Sequence, residues 1–132
     1  MSRYNVPRSK FYRLAVLIVV AASANSCDTL DPIGCTGEFV YGIGVSVFDS
    51  TDRAPVSEGM SGLLLEDNYV EILERSGNQL YGAGERAGTY AVIVTAPGYE
   101  TWVRTGIEVT ASECHVSKVR MEAMLVSVPP SA

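Results

Sequence analysis

Apolar and polar residues alternate with a period of two along most of the chain after residue 38. This alternation places every second side chain on the same face of an extended strand, so it predicts β structure. Clusters of turn-forming residues, such as Asp67-Asn68 and Ala96-Pro97-Gly98, separate the alternating segments. The pattern predicts seven strands, at about residues 39–49, 62–66, 69–74, 79–82, 88–95, 102–109 and 114–126.

The spacing of the turns, about 8 to 14 residues, is typical of an antiparallel β-sandwich, and we expect an all-β fold of that kind. A helix over residues 62–75 is the alternative, since this stretch is rich in leucine and glutamate. The turn at Asp67-Asn68 and the β-branched Val70 and Ile72 favour strands instead. The side chains expected to face the core are Ile43, Val45 and Val47 in the first strand, Tyr90, Val92 and Val94 in the fifth, and Val119, Met121, Ala123 and Leu125 in the seventh.

The first 26 residues differ in composition from the rest of the chain. Residues 1–13 contain four basic residues and no acid, residues 14–22 are nine consecutive apolar residues, and residues 23–26 are small or polar. This succession is typical of a secretory signal peptide. Nine helical residues span only about 14 Å, whereas a hydrocarbon core is about 30 Å thick. We therefore predict a signal peptide over residues 1–26, with an uncleaved membrane anchor as the alternative.

Two cleavage sites fit this signal peptide. Ala22-Ser23-Ala24 has the pattern of an ordinary signal-peptidase site, which would leave Asn25 as the first residue of a soluble periplasmic or secreted protein. The sequence Ala24-Asn25-Ser26-Cys27 instead resembles a bacterial lipobox. That resemblance implies that Cys27 is lipidated and that the protein is attached to a membrane of the cell envelope, on its periplasmic or outer-surface side.

The chain has three cysteines, and this odd number bears on the choice of cleavage site. Export leads to an oxidising compartment, where cysteines tend to form disulfides. If Cys27 carries lipid, Cys35 and Cys114 remain as a pair. If it does not, one thiol stays free or links two chains. We favour lipidation of Cys27. A bridge between Cys35 and Cys114 would span 79 positions of the sequence and contribute about 4 kcal/mol to stability.

The stretch Gly88-Thr89-Tyr90-Ala91-Val92-Ile93-Val94-Thr95-Ala96-Pro97-Gly98-Tyr99 combines a G-x-Y strand with a turn that ends in Gly-Tyr. Together with Ala54-Pro55-Val56 and Ile107-Glu108-Val109, it resembles the carboxypeptidase regulatory-like domain. The resemblance covers residues 39–126 and implies a seven-stranded transthyretin-like (prealbumin-like) sandwich. The resemblance implies no catalysis, because carboxypeptidases carry their catalytic zinc on a separate domain. The predicted organisation is a signal peptide at 1–26, a tether at 27–37, the sandwich at 38–127 and a tail at 128–132.

Loss of the signal peptide would change the net charge of the chain. The formal charge of the full sequence is −5, but all 15 acids and only six of the 10 basic residues follow residue 26. The formal charge of that segment is therefore −9. Because binding to a phosphate backbone needs a surplus of Lys and Arg, we expect no nucleic-acid partner.

Few residues are suited to catalysis or metal binding. His115 is the only histidine, which excludes metal sites with two histidines, and we expect it to lie at a strand end beside a disulfide. Asp49, Asp52 and Glu58 offer the oxygen ligands that calcium prefers, but such a loop is more typical of a solvated turn. We therefore predict no catalytic residue, no metal site and no cofactor.

Aromatic residues are more numerous than a small core needs. Tyr81, Tyr99 and Trp102 form a candidate ligand surface for stacking on sugar or for contact with a protein, although packing at the core or its edges is the simpler interpretation. We expect a non-enzymatic envelope module that binds or spaces another envelope component. The alternatives are a glycan- or peptide-binding module that uses these aromatic residues, and a hydrolase in which His115 lies beside an acid and a serine.

Overall fold

The computed structural model describes residues 34–129. The predicted signal peptide, the predicted lipidation site Cys27 and most of the predicted tether lie outside these residues. Within the described part of the chain, no helix has the length and apolar character that a membrane crossing requires. The described residues from Cys35 onward belong to one unit, and its regular elements are β-strands.

Eight strands form two four-stranded sheets. In chain order they are β1 (Tyr41–Asp49), β2 (Ser61–Glu66), β3 (Tyr69–Ile72), β4 (Glu74–Ser76), β5 (Gln79–Gly84), β6 (Gly88–Thr95), β7 (Trp102–Val109) and β8 (Val119–Leu125). The order of strands is β4-β5-β1-β8 in the first sheet and β3-β2-β6-β7 in the second sheet. Side chains from both sheets form one hydrophobic core, so the predicted all-β sandwich is confirmed. The alternative of a helix over residues 62–75 is wrong.

The fold has eight strands rather than the seven predicted, because one predicted strand is divided between the sheets. The segment at residues 69–74 pairs with β2 as far as Ile72, and the chain then enters the first sheet, where β4 pairs with β5. Leu73 lies between the two strands. Its backbone N–H donates to the carbonyl of Gly62 at 2.9 Å, and its side chain is buried. Inward and outward side chains alternate without a break through Leu73, so the sequence pattern does not mark the change of sheet.

Two glycines leave space for the side chain of Leu73. A Cβ atom on Gly62 in β2 would lie 2.7 Å from Cδ1 of Leu73, and a Cβ atom on Gly82 in β5 would overlap Cδ2. The two glycines belong to opposite sheets, so the leucine fills the gap between them. A larger residue at either position would displace Leu73 from the core.

The first sheet is mixed, although an antiparallel sandwich was expected. Strands β1 and β8 run parallel, with Ile43 opposite Val119 and Asp49 opposite Leu125, whereas the other pairs of named strands are antiparallel. Parallel neighbours require a long connection, and the six strands between β1 and β8 supply it. The first and last strands of the sandwich therefore lie side by side.

The alternation predicted the inward-facing residues correctly. The predicted core residues of β1 and β6 are buried, and so are those of β8 except Val119, which is half-buried and packs against the core. The interruption expected near Gly106 is a β-bulge, since the register between β6 and β7 shifts there and Gly106 has φ +68°. Gly98 has φ +81°, as its place in a predicted turn required.

Replacing Leu73 with alanine tests the role of the residue that joins the two sheets. We expect Leu73→Ala to lower the free energy of unfolding by about 2–5 kcal/mol, because it leaves a cavity between the sheets. Denaturation in urea would measure the change. The matched control is Ile72→Thr at the neighbouring position, which is 74% exposed and should change stability by less than about 0.5 kcal/mol. Equal losses from both variants would contradict the assignment.

Candidate functional site

Cys35 and Cys114 form a disulfide, as predicted. Their Cα atoms are 5.2 Å apart, and the bridge spans 79 positions of the sequence. Cys114 lies in an irregular segment, because β8 begins at Val119 and not at residue 114 as predicted. The bridge therefore joins the segment that precedes β1 to the loop that precedes β8, the two strands that run parallel in the first sheet.

His115 lies beside this disulfide, and both of its ring nitrogens have partners. Nδ1 is 2.9 Å from Oε1 of Glu85, and Nε2 is 3.1 Å from Oγ1 of Thr36. Oε1 of Glu85 also accepts a hydrogen bond from the backbone N–H of Val40 at 2.8 Å. The hydrogen bond with His115 lowers the pKa of the Glu85 carboxyl. Together these contacts hold the segment before β1 against the loop before β8.

In this cluster a hydroxyl, an imidazole and a carboxylate are hydrogen-bonded in series, which is also the arrangement of a hydrolytic triad. The hydroxyl belongs to Thr36, whereas the hydrolase hypothesis required a serine. Ser112 is close, but its hydroxyl bonds to the backbone of His115: it donates to the carbonyl at 2.7 Å and accepts from the N–H at 3.2 Å. The hydrogen bonds of Thr36, Glu85 and His115 instead account for the position of the N-terminal segment.

Arg86 closes one end of the core through a second group of polar contacts. Its guanidinium lies 4.0 Å from the centre of the Tyr69 ring, and it donates to Oε2 of Glu66 at 2.5 Å and to the hydroxyl of Tyr90 at 3.0 Å. Glu66 also accepts a hydrogen bond from the backbone N–H of Thr89 at 2.8 Å. The hydrogen bonds from Arg86 and Thr89 lower the pKa of the Glu66 carboxyl. This cluster fixes the loop between β5 and β6 and accounts for the half-buried charges.

A Glu66→Gln variant tests this contribution through its dependence on pH. The lowered pKa of Glu66 stabilises the fold above the ordinary carboxyl pKa of 4.5, and that stabilisation is lost as the pH falls through the lowered value. The variant should therefore be less stable than the unmodified protein at pH 7, and the difference should shrink on acidification. Thermal unfolding between pH 7 and pH 3 would measure it. Glu58→Gln, at an exposed residue outside the described ion pairs, is the control, and a Glu66→Gln difference that does not vary with pH would contradict the prediction.

The three residues of the candidate ligand surface lie in different surroundings. Tyr81 is in β5, and its ring lies 5.6 Å from that of Tyr41. Trp102 begins β7, pairs with Val94 and packs half-buried against the core. Tyr99 follows the turn at Gly98. The described aromatic contacts join Tyr81 to Tyr41 and do not join it to Tyr99 or Trp102, so a surface shared by all three stays a prediction.

Tyr99 contacts the turn after β1, which contains Asp49 and Asp52 and was the candidate calcium site. Its hydroxyl donates to Oδ2 of Asp49 at 3.0 Å, which raises the pKa of Tyr99. The N–H of Thr51 donates to Oδ1 of Asp49 at 2.7 Å, and mainly for this reason the pKa of Asp49 is lowered. Oδ1 of Asp52 accepts from the N–H of Ala54 at 2.9 Å. Among residues 34–129, no three His, Cys, Asp or Glu side chains are placed to hold one metal ion together. The carboxylates of Asp49 and Asp52 instead stabilise the turn itself.

The outer face of the first sheet contains an aromatic and cationic pocket that the sequence analysis missed. A cavity of about 120 Å³ lies beside β1, and we call it the aromatic–cationic pocket. Its main lining residues are Phe39, Tyr41, Gly44, Tyr81, Lys118 and Arg120. The only signal in the sequence was the alternation that places Gly44 on the outward face of β1. The strand register, which brings Tyr81 and Arg120 to either side of Gly44, was needed to see the pocket.

The outer face of the second sheet is apolar, which the sequence analysis also missed. One row of outward side chains crosses all four strands, and a second row crosses three of them. Exposed fractions reach 74% for Ile72, 62% for Val70 and 55% for Val103. We call this surface the apolar face; its first row is Ile72, Leu63, Ile93 and Val103, and its second row is Val70, Leu65 and Ala91. The run Leu63-Leu64-Leu65 was the available signal, since it makes β2 apolar on both sides.

Comparison of the sequence with known protein families finds no matching family, and no curated protein matches the chain. The resemblance to the carboxypeptidase regulatory-like domain therefore stays a prediction. The functional interpretation depends on the architecture of the sandwich, on the contacts around the disulfide and on the two surfaces of the sheets.

Proposed function

We propose that this protein is a non-enzymatic module of the cell envelope that works by contact with another envelope protein. The observation that carries the proposal is the apolar face of the second sheet. An antiparallel sheet with one side on the core normally presents polar residues on its other side. Large contiguous apolar surfaces on soluble domains mark interaction sites. A carboxypeptidase regulatory-like, transthyretin-like assignment agrees with this proposal, with the eighth strand arising from one strand divided at Leu73.

Attachment to the envelope completes the proposal. Export follows from the composition of residues 1–26, and lipidation of Cys27 leaves the remaining two cysteines for each other. The disulfide between Cys35 and Cys114 supports this arrangement, because it accounts for two of the three cysteines. Cys27 lies eight residues before the bridged Cys35, so a lipid there would hold the sandwich within a short distance of the membrane.

The mass of the exported protein tests the anchor. We expect a mature form that begins at Cys27, carries a diacylglyceryl group and gains two hydrogens on reduction. Intact-mass spectrometry with and without reductant would measure both properties. A mature form that begins at Asn25 would refute the lipid anchor and favour a soluble exported protein. A mass that does not change on reduction would contradict the disulfide.

The charges around the apolar face indicate the chemistry of the partner. The seven residues of the two rows are uncharged, so a partner needs an aliphatic surface opposite them. Asp67 follows β2, and Glu108 lies opposite Thr89 at the same end of the sheet. Both are exposed acids. A partner with an aliphatic centre and a Lys or Arg beside it would complement this face, whereas a second copy would supply no cation for the two acids at its end.

Site-specific photocrosslinking tests contact through the apolar face. A photoreactive residue at Val103 should crosslink to one envelope protein in intact cells, and the same residue at Ser76 on β4 of the other sheet should not. Adding Leu63→Lys should abolish the crosslink, because it places a cation in the centre of the face. With the purified pair, Leu63→Lys should weaken binding by about tenfold or more, as loss of a central contact does.

The other outcomes of this experiment separate the alternatives. A crosslink between two copies of the protein would overturn the proposed partner in favour of self-association. A crosslink to lipid would assign the face to the membrane. A Val103 crosslink that persists unchanged in Leu63→Lys, with unchanged affinity, would rule out the apolar face as the site of contact.

A further inference from the structure

We infer that the aromatic–cationic pocket binds an anionic sugar, that is, a pyranose ring that carries a carboxylate or a phosphate group. The pocket lies on the first sheet, whereas the apolar face belongs to the second. The inference therefore goes beyond the proposed function and does not depend on it. Three features of the pocket carry it: an aromatic wall, an open floor and a pair of cations.

Three aromatic rings form the wall of the pocket. Phe39 meets Tyr41 edge to face with ring centres 5.0 Å apart, and Tyr41 lies 5.6 Å from Tyr81. The hydroxyl of Tyr41 donates to Oε2 of Glu74 at 2.6 Å, and the hydroxyl of Tyr81 donates to Gln79. These hydrogen bonds hold the rings in place before a ligand arrives, which reduces the entropy lost on binding. Phe39 is exposed and the two tyrosines are half-buried, so the wall still offers ring surface to the apolar C–H face of a pyranose ring.

Gly44 forms the floor between the wall and the cations. In the strand register it lies opposite Tyr81 on one side and opposite Arg120 on the other. A Cβ atom at this position would be 3.9 Å from the Tyr81 ring and 3.9 Å from the guanidinium of Arg120, which is ordinary contact distance. The glycine therefore leaves a gap between a ring and a cation that has room for at least a methyl group. A ligand in that gap would contact both.

Lys118 and Arg120 supply the charge. Within residues 34–129, the arginines that form ion pairs are Arg53 and Arg86, and neither Lys118 nor Arg120 does so. Lys118 and Arg120 are two positions apart and both line the pocket, so their positive charges act together there. Arginine binds carboxylate or phosphate through two parallel hydrogen bonds, and lysine adds a point charge. The pocket is therefore suited to a ligand with one anionic group next to its ring.

The charge of the rest of the domain limits the ligand to a small anion or a sparsely charged chain. The segment after residue 26 has a formal charge of −9, which repels an extended polyanion such as a nucleic acid. A single carboxylate or phosphate needs only the local field of Lys118 and Arg120. Because both cations are exposed, binding should weaken as salt is added.

Titration of the exported protein with three small sugars tests the inference. Glucuronate and glucose 6-phosphate are the anionic probes, and glucose is the neutral control. We expect at least one anionic probe to shift the backbone NMR signals of Gly44, Tyr81 and Arg120, and to bind about tenfold more tightly than glucose, as a charge-assisted hydrogen bond allows. Comparing the two anionic probes shows whether carboxylate or phosphate is preferred.

Variants of the pocket locate the binding site. Gly44→Val, Tyr81→Ala and Arg120→Gln should each weaken binding of the preferred anionic probe by about tenfold. Gly44→Val is the most informative of the three, because valine suits a strand and occupies the gap. A melting temperature no lower than that of the unmodified protein would show that the loss of binding is not a loss of fold. Arg75→Gln is the matched control, since Arg75 lies in β4 of the same sheet and hydrogen-bonds to the carbonyl of Ser57.

Four results would overturn the inference. These are equal binding of glucose and the anionic probes, no binding of any probe, binding that Gly44→Val leaves unchanged, and NMR shifts confined to residues outside the pocket. A short acidic peptide with a tyrosine is the remaining probe. If it binds through Arg120 and the sugars do not, the pocket is a peptide site and not a sugar site.

Discussion

The passage of the chain from one sheet to the other at Leu73 is the constraint on which the sandwich depends. A strand that ended at residue 72 would leave the first sheet without β4, and one that continued in the second sheet would remove a large side chain from the core. Gly62 and Gly82 leave the space that the leucine occupies. Val70 and Ile72, the outward residues of β3 just before this passage, form part of the apolar face.

The core could be predicted from the sequence because alternation is a local property. The core residues predicted in β1 and β6 are two positions apart, and no knowledge of the partner strand is needed to place them. The change of sheet at Leu73 could not be predicted, because the period of two continues through it. The parallel pairing of β1 with β8 could not be predicted either, since it depends on the path of the six strands between them. The disulfide was predictable from the number of cysteines, provided that Cys27 carries lipid and does not take part in a bridge.

The candidate sites were less predictable than the core, because each depends on strand register. Tyr81, Tyr99 and Trp102 attract attention in the sequence as large residues near turns. The register instead places Tyr81 opposite Gly44 and Gly44 opposite Arg120. No pattern along one segment relates residues 44, 81 and 120. The same holds for the apolar face, where the leucine run of β2 is visible in the sequence but the row that includes Val103 is visible only across the sheet.

The disulfide between Cys35 and Cys114 also decides how the sandwich responds to mechanical force. A pull on the N-terminal segment reaches the fold at Cys35, and the covalent bond divides the load between the start of β1 and the loop before β8. These two strands are parallel neighbours and are loaded from the same end. They must then slide together against the rest of the sheet, which prevents β1 from being peeled away alone. In a reducing environment the disulfide would be lost, and a pull on the N-terminal segment would then act on β1 alone.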